Sequence, residues 1–218
     1  RRLIDVRHPP RAFAPGSGDK RSGKRVLTVG TDCAVGKKYT ALAIEREMRS
    51  RGIAADYRAT GQTGILIAER GVAIDAVVAD FVSGAAEWLS PPNDVDHWDV
   101  IEGQGSLFHP SYAAVTLGLI HGSQPDAIVL CHELGRTHIS NFPHYFIPSF
   151  ADCAAAYVAA ARLTNPAARI TGIALNTAAH DEPTARLSIQ AMEAETHLPC
   201  TDPLRFGCGA LVDALVGA

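Results

Sequence analysis

Residues 25–40 read RVLTVGTDCAVGKKYT, and this stretch decides the fold. It opens with the apolar run of a buried strand, which consists of Val26, Leu27 and Val29. The run ends at Gly30, and Gly36 permits an unusual backbone conformation just ahead of a helix. Because helix N-terminal N–H groups attract anions and Lys37 adds a point charge, the stretch predicts a phosphate-binding loop. The residues expected around the phosphate are Gly30, Thr31, Asp32, Cys33, Ala34, Val35, Gly36, Lys37 and Lys38.

The loop departs in two ways from the common phosphate-binding form. Five residues separate Gly30 from Gly36, whereas the common form has about four between its glycines. Lys38 stands where a Ser or Thr normally holds Mg²⁺ through its hydroxyl, and we expect Thr40 to face elsewhere. These departures weaken the case for ordinary nucleotide hydrolysis but leave phosphate binding as the prediction.

Length and charge narrow the class of protein. A chain of 218 residues is long enough for one α/β domain with a well-buried core. A net charge of −3 argues against a broad polyanion-binding surface, so we expect no nucleic acid partner. The cysteines are odd in number and contain no CxxC pair, which favours free thiols in a reducing compartment and a cytoplasmic protein.

The apolar stretches also indicate whether the chain crosses a membrane or carries a secretory signal. The longest apolar stretch, residues 154–161, is far too short to cross a bilayer, so we expect no membrane segment. Residues 1–24 are basic and interrupted by proline and glycine, and they lack the apolar core of a secretory signal. We therefore expect a linker or the remnant of a missing domain over residues 1–24, and one α/β domain over residues 25–218.

Strand and helix patterns alternate along the chain. After the opening strand, strands are predicted at residues 53–59, 97–101, 127–131 and 170–175. Helices are predicted at residues 40–51, 76–89, 113–121, 149–163, 183–195 and 207–216, with polar loops at 60–64 and 132–144. This alternation predicts a three-layer α/β domain with a mainly parallel central sheet and helices on both faces. The loops after its strands would bring together Lys37, Gln62, Glu102, His132 and Asn176 in one cleft.

Glu102 is the strongest acidic candidate. It follows two aliphatic residues at a predicted strand end and precedes Gly103 and Gly105, which let a backbone approach a ligand. A carboxylate there can accept a proton from a reacting group, or orient Mg²⁺ or a water, or simply pair with Lys37 or cap a helix. Asp32, inside the loop, could contact a metal, a substrate or a neighbouring N–H.

Several histidines fall within one stretch: His109, His121, His132, His138 and His144. His132-Glu133 followed by His138 misses the HExxH spacing of zinc enzymes, so we predict no metal site. His109 and His132 remain candidates for acid or base catalysis, because imidazole titrates near neutrality.

Two more side chains have candidate roles. Arg136 could bind a substrate carboxylate or a phosphate through two N–H groups, or be a solvated surface residue. Cys33 could be a nucleophile, but no histidine is placed beside it by the sequence, and small residues often occupy such loops for fit. We therefore do not predict covalent catalysis by Cys33.

The loop and the acidic strand end together resemble a known group of enzymes. Residues 30–37 and 100–105 resemble the corresponding segments of dethiobiotin synthetase and related cobyrinate amidases, which implies a P-loop NTPase-like fold. A longer match is to the C-terminal domain of a bacterial family long labelled as of unknown function and associated with D-glutamate N-acetyltransferase activity. Its segments here are residues 30–40, 59–64, 75–87, 101–122 and 136–138.

The longer resemblance implies a function and a second domain. Members of that family carry an N-terminal Rossmann-like domain, and residues 1–10 resemble the junction with it. The implied activity is acetyl-CoA-dependent N-acetylation of D-glutamate or a similar amino acid, with CoA phosphates on the 30–37 loop. Arg136, Gln62 and Thr63 would contact the substrate, and Glu102 or His109 would deprotonate its amine. A backbone N–H of the 103–106 turn would stabilise the oxyanion.

Two other functions stay open from the sequence. An Mg-ATP-dependent ligase or kinase of the dethiobiotin synthetase type would use Glu102 and Asp32 to hold Mg²⁺, although Lys38 argues against it. A nucleotide- or CoA-sensing module would bind the ligand without turnover. In each case we expect a small-molecule ligand, the missing N-terminal domain as a partner, and a homo-oligomer.

Overall fold

A computed structural model of the chain describes residues 5–217. Its main sheet has six strands in the order β2-β3-β1-β4-β7-β8, and every neighbouring pair is parallel. These strands are β1 (Lys24–Gly30), β2 (Ala55–Arg58), β3 (Trp98–Ile101), β4 (Ala127–Glu133), β7 (Arg169–Asn176) and β8 (Cys200–Thr201), while β5 (His138–Ile139) and β6 (Phe142–Phe146) form a separate antiparallel hairpin. The helices are α1 (Lys37–Ser50), α2 (Gln62–Ala68), α3 (Val82–Leu89), α4 (Ala113–Ser123), α5 (Phe150–Arg162), α6 (Glu182–Thr196) and α7 (Gly209–Val216).

The two faces of the central strand β1 show how the three layers of the domain are built. Successive side chains of a strand point to opposite faces, and both faces of β1 are covered. Val26 packs in a core with Ile44 of α1 and Leu211 of α7. Leu27 packs on the other face, in a core with Tyr157 of α5. The predicted three-layer α/β fold with a parallel sheet is therefore confirmed.

The sequence patterns missed some elements and some boundaries. Helix α1 begins at Lys37 instead of residue 40, and the expected helix at 76–89 is two short 3₁₀ turns (Ile74–Ala76 and Ala79–Phe81) followed by α3. The polar stretch at 60–64 runs into α2, and the polar stretch at 132–144 contains most of the β5–β6 hairpin. Strand β8 was not predicted, because two residues are too few for a periodic pattern.

The segment before β1 packs against the domain. Phe13 lies against Trp88 of α3, with ring centroids 5.6 Å apart. The Arg21 guanidinium donates to the backbone carbonyls of Ser90 at 2.8 Å and Gly122 at 2.7 Å, at the C-terminal ends of α3 and α4. Residues 5–23 contain neither helix nor strand, and residues 1–4 of the expected linker lie outside the described residues.

Two further expectations concern cysteines and hydropathy. The thiols of Cys33, Cys131, Cys153, Cys200 and Cys208 are all free, as predicted. Within residues 5–217, no helix combines the length and the apolar character that crossing a bilayer requires.

Candidate active site

The loop between β1 and α1 has the geometry of a phosphate-binding loop. A Cβ on Gly30 would lie 2.7 Å from the Asp32 carbonyl oxygen and 3.0 Å from Lys37 Nζ, so only glycine fits there. Ala34 and Gly36 have φ of 56° and 109°, which turn the chain into α1. The Lys37 ammonium is buried, donates to the Asp32 carbonyl oxygen at 2.8 Å, and has a pKa lowered by that burial. The loop is thus curled around its own lysine.

The Asp32 carboxylate is fully buried and faces the β5–β6 hairpin side of the loop. One oxygen accepts the Cys33 N–H at 2.7 Å. The other accepts the Ser140 N–H at 2.7 Å and an Arg136 N–H at 2.9 Å. The Arg136 guanidinium also bonds the Cys33 carbonyl oxygen and the Glu133 carboxylate. Of the three roles considered for Asp32, the structure shows the binding of neighbouring N–H groups, and contact with a metal or a substrate stays a prediction. A substrate role for Arg136 stays a prediction.

An open cleft of about 400 Å³ lies over the loop at the carboxyl ends of the strands. It is lined by Ala34, Gly36, Lys37, Lys38, Tyr39, Gly61, Gln62, Thr63, Glu102, Gly103, Gln104 and Asn176. Lys37, Gln62, Glu102 and Asn176 therefore share the cleft that was predicted for them. His132 does not line it, and the inner loop residues Gly30, Thr31, Asp32, Cys33 and Val35 lie outside its lining.

Glu102 reaches the cleft from the end of β3. Its Oε2 accepts the N–H groups of Thr60 at 2.9 Å and Gly61 at 3.2 Å, at the start of α2. The buried Tyr57 hydroxyl lies beside it, and a Cβ on Gly64 would collide with both groups. Burial raises the pKa of the Glu102 carboxyl, and the hydrogen bonds from its neighbours oppose that rise only in part. The site thus holds a carboxylate that is a stronger base than an exposed one.

The turn after Glu102 is packed directly on β1. The Gly103 N–H donates to the Thr28 hydroxyl at 3.0 Å, and a Cβ at Gly103 would collide with the Thr28 carbonyl oxygen. Gly103 therefore cannot supply the expected oxyanion contact. Within residues 5–217, the backbone N–H of Gln104 makes no hydrogen bond, and Gln104 lines the cleft. Its N–H is the better candidate in the 103–106 turn.

His109 lies on the hairpin side of the loop and does not line the cleft. Its ring stacks on Tyr112 with centroids 4.5 Å apart and meets the edge of Phe142 at 5.2 Å. Its Nδ1 accepts the Ser111 N–H at 3.1 Å. These contacts hold the ring in place, and a role as general base would require substrate to reach it from the cleft.

His132 is a buried residue near the end of β4. Its Nδ1 shares a 2.8 Å hydrogen bond with the Thr31 hydroxyl, and its ring meets the edge of Phe150 at 5.0 Å. Burial first, and then the nearby Arg136 charge, lower the pKa of His132 to about 4. The imidazole is therefore neutral at pH 7. Its hydrogen bond with Thr31 supports the phosphate-binding loop.

Acid should destabilise the protein through His132. Its pKa is about 4 in the fold and about 6.5 when unfolded, so its contribution to stability is complete above pH 6.5 and is lost as pH falls towards 4. The full loss is about 3 kcal/mol. We expect urea unfolding to show a smaller fall in stability between pH 7 and pH 4.5 for His132→Gln than for the unaltered protein. Equal falls would contradict this assignment.

The described residues contain two groups that could hold a metal ion: Asp32, Cys33 and His109, and Asp56, His97 and Asp99. In each group a carboxylate already pairs with arginine, since Arg136 bonds Asp32 and Arg58 bonds Asp99. Of the five histidines considered above, only His109 belongs to either group. The prediction of no metal site stays a prediction.

Tyr39 and Tyr57 are residues that sequence reasoning missed. Tyr39 is half-exposed at the start of α1, lines the cleft, and has Lys38 Nζ 4.6 Å from its ring centroid. Nothing in the sequence marks Tyr57, which looks like an ordinary apolar position of β2. Burial raises the pKa of the Cys33 thiol and disfavours a nucleophilic thiolate, and the absence of covalent catalysis by Cys33 stays a prediction.

A parallel sheet whose central strand runs through a glycine-bounded loop and a buried lysine into a helix defines a P-loop protein. Residues 12–212 match the family described as "Domain of unknown function (DUF1611_C) P-loop domain". The chain belongs to this family, which confirms the family resemblance seen in the sequence.

Two relatives match almost all of the chain. A D-glutamate N-acetyltransferase from Pseudoalteromonas sp is 53% identical over 210 residues, which are 96% of this chain and 63% of the relative. A D-glutamate N-acetyltransferase from Tritonibacter scottomollicae is 52% identical over 215 residues, which are 99% of this chain and 65% of the relative. The chain thus spans about two thirds of the length of these relatives.

Solved structures agree on the fold. A DUF1611 family protein from Anabaena variabilis has a TM-score of 0.93 and 43% identity, covering 98% of this chain and 64% of that one. A cobyrinic acid a,c-diamide synthase from Mycobacterium smegmatis, solved with ADP and magnesium, has a TM-score of 0.54 and 12% identity, covering 89% of this chain and 94% of that one. The second likeness shows the fold alone, and that fold agrees with the predicted P-loop NTPase-like domain.

Proposed function

We propose that this chain is the P-loop domain of an acetyl-CoA-dependent N-acetyltransferase that acts on the amine of D-glutamate or a similar amino acid. The observation that carries the proposal is the position of Glu102, a buried carboxylate of raised pKa in the same cleft as the phosphate-binding loop. The names of the two relatives, each more than 50% identical, support the same reaction.

The cleft suits the phosphates of coenzyme A. The N-terminus of α1 and the ammonium groups of Lys37 and Lys38 present positive charge to it. Acetyl-CoA carries a pyrophosphate and a 3′-phosphate, and it reacts at its thioester, so the loop has to hold phosphate without cleaving it. A P-loop without the usual metal-binding hydroxyl is compatible with that task.

The proposed chemistry is a direct acetyl transfer. Glu102 takes a proton from the substrate ammonium, and the free amine attacks the thioester carbonyl carbon. The tetrahedral intermediate carries its negative charge on the carbonyl oxygen, to which the Gln104 N–H can donate. As the C–S bond breaks, the CoA thiolate leaves and takes up the second proton of the nitrogen. Glu102 then releases its proton to solvent, and the products are the N-acetyl amino acid, CoA and one proton.

The substrate carboxylates need donors of their own. Gln62 and Thr63 line the cleft at the start of α2, with Thr63 exposed. The Arg136 guanidinium lies beneath the loop and is already bonded to Asp32 and Glu133, so it could join substrate binding only through its remaining N–H groups. The Gln62 amide donates to Asp75 only at 3.3 Å, which is longer than the Arg136 contacts, so we place Gln62 and Thr63 ahead of Arg136 in this role.

The alternative of an Mg-ATP-dependent ligase or kinase is supported less well. It needs Asp32 and Glu102 as joint Mg²⁺ ligands, but both oxygens of Asp32 are engaged on the hairpin side of the loop. No feature of the described residues favours ATP cleavage over acetyl transfer.

The proposal is tested by assaying the complete protein for release of CoA from acetyl-CoA with D-glutamate, with L-glutamate and with no amino acid. A parallel assay follows ADP release from Mg-ATP. We expect amino-acid-dependent CoA release and no ADP release. Amino-acid-dependent ADP release without CoA release would overturn the proposal in favour of the ligase or kinase.

A further inference from the structure

We propose that Lys38 replaces the divalent cation of the P-loop, so that the cleft binds a phosphate-bearing ligand free of metal. P-loop enzymes hold Mg²⁺ with the hydroxyl that follows the loop lysine and with an acidic residue. The inference rests on the phosphate ligand of the proposed function, but not on acetyl transfer.

The hydroxyl that usually follows the loop lysine of a P-loop is missing. Lys38 occupies the position that follows the loop lysine. The next hydroxyl along α1 on a threonine or serine belongs to Thr40, which is buried and contacts the Cys131 thiol at 3.6 Å. Thr40 therefore faces the core, does not line the cleft and does not replace the missing ligand.

The cleft also has few carboxylate ligands for a divalent cation. Glu102 is the one acidic residue that lines the cleft within the described chain, and its Oε2 is already occupied by two backbone N–H groups. The Asp32 carboxylate is bonded to Arg136 and to two backbone N–H groups outside the cleft. Mg²⁺ demands near-octahedral oxygen coordination and is usually held by one or two carboxylates together with substrate phosphates. With Lys38 in place of the hydroxyl, the cleft residues that the structure describes offer a divalent cation one carboxylate and no serine or threonine hydroxyl from the start of α1, so they do not fit one, whereas a hydroxyl at position 38 would restore the usual pair of ligands.

The Lys38 ammonium lies at the cleft, near the expected phosphate. The side chain is half-buried and lines the cleft. Its Nζ rests 4.6 Å from the centroid of the Tyr39 ring, and no carboxylate of residues 5–217 lies within ion-pair distance of it. The Lys38 charge nevertheless acts on Glu102, because burial raises the pKa of that carboxyl and the lysine charge opposes the rise, which favours the ionised form. The ammonium is thus held at the cleft with its charge available for a phosphate.

This arrangement predicts how the cleft discriminates among nucleotides. Mg²⁺ neutralises part of the phosphate charge of a nucleotide and competes with Lys38 for the same oxygens. A ligand that arrives without metal, such as CoA, keeps its full charge for Lys37 and Lys38. Metal-free pyrophosphate groups should therefore bind at least as well as their magnesium complexes.

Calorimetry on the complete protein tests the replacement, with ADP and CoA as probes in EDTA or in excess Mg²⁺. We expect the unaltered protein to bind both probes as tightly in EDTA as in Mg²⁺. Lys38→Met should weaken both in EDTA by about tenfold or more, as expected for losing a charged hydrogen bond. Lys38→Thr should be equally weak in EDTA but recover ADP binding when Mg²⁺ is added. Lys24→Met, which removes a lysine at the opposite end of β1, serves as the matched control.

The inference would be overturned if binding by the unaltered protein required Mg²⁺, or if Lys38→Met kept its affinity in EDTA. A Lys38→Thr variant that gains nothing from Mg²⁺ would also contradict the replacement, and would leave Lys38 as an ordinary phosphate ligand. These outcomes are independent of turnover. Metal-free, Lys38-dependent binding without any acetyl transfer would support the inference while the proposed function fails.

Discussion

Replacing Glu102 with glutamine should lower turnover by about 10² to 10⁴-fold, which is the usual contribution of a general base. The amide has the shape of the carboxylate, and its oxygen can still accept the N–H groups of Thr60 and Gly61. Affinity for acetyl-CoA should therefore change little. Separate measurement of kcat and of acetyl-CoA binding checks this in the complete protein, with Glu69→Gln as the control because Glu69 is an exposed carboxylate at the end of α2.

The pH dependence of Glu102 sharpens that prediction. Burial raises the pKa of its carboxyl, so the rate should fall as pH drops through that raised pKa, and this acid limb should vanish in Glu102→Gln. The sign for stability is opposite, since a raised carboxyl pKa means that the fold loses stability as pH rises through it. Glu102→Gln should therefore be the more stable protein at pH 7.5, with the difference lost in acid. Unchanged turnover would remove Glu102 from the mechanism.

Gly103→Ala should produce the largest loss of stability among the changes considered. The new Cβ would collide with the Thr28 backbone carbonyl oxygen in the centre of the sheet, where the backbone cannot move aside. Overpacking of this kind costs about 3 kcal/mol or more. For a domain of this size the melting temperature should fall by about 10 °C, measured by calorimetric or fluorescence unfolding.

Gly52→Ala separates this collision from the ordinary cost of removing a glycine. Gly52 has a φ of +76°, and no atom lies within 4 Å of the position that a Cβ would take, so alanine there meets only the backbone penalty. That penalty is about 1 kcal/mol. Equal losses in the two variants would show that the packing of Gly103 against β1 is not what limits the substitution.

The sequence predicts the architecture well because the signals are local. The apolar run of β1 and the glycine-bounded loop with Lys37 are read within one short stretch. Strands buried on both faces are also easily recognised between helical patterns. The β5–β6 hairpin escaped recognition because its residues are polar, aromatic and largely exposed. Strand β8 depends on its pairing with β7, which no local pattern encodes.

Side-chain direction is the part of the site that the sequence could not predict. Asp32 was compatible with metal, substrate or N–H binding, and its partners Arg136 and Ser140 lie about a hundred residues away in the chain. His132 lies at the carboxyl end of β4, on the same edge of the sheet as the cleft residue Asn176 at the end of β7. Its side chain nevertheless contacts Thr31 and Phe150. Only the packing of the hairpin and of α5 around the loop determines these directions.

The central claim is that the cleft over the P-loop binds acetyl-CoA, and calorimetric titration of the complete protein tests it most directly. The titrants are acetyl-CoA and ATP, each with and without Mg²⁺. The variants are Lys37→Met and the control Lys24→Met, which keep their aliphatic stems. We predict that acetyl-CoA binds without Mg²⁺ and is weakened about tenfold to a hundredfold only in Lys37→Met. Tighter binding of Mg-ATP, or acetyl-CoA binding that is indifferent to Lys37, would contradict the account.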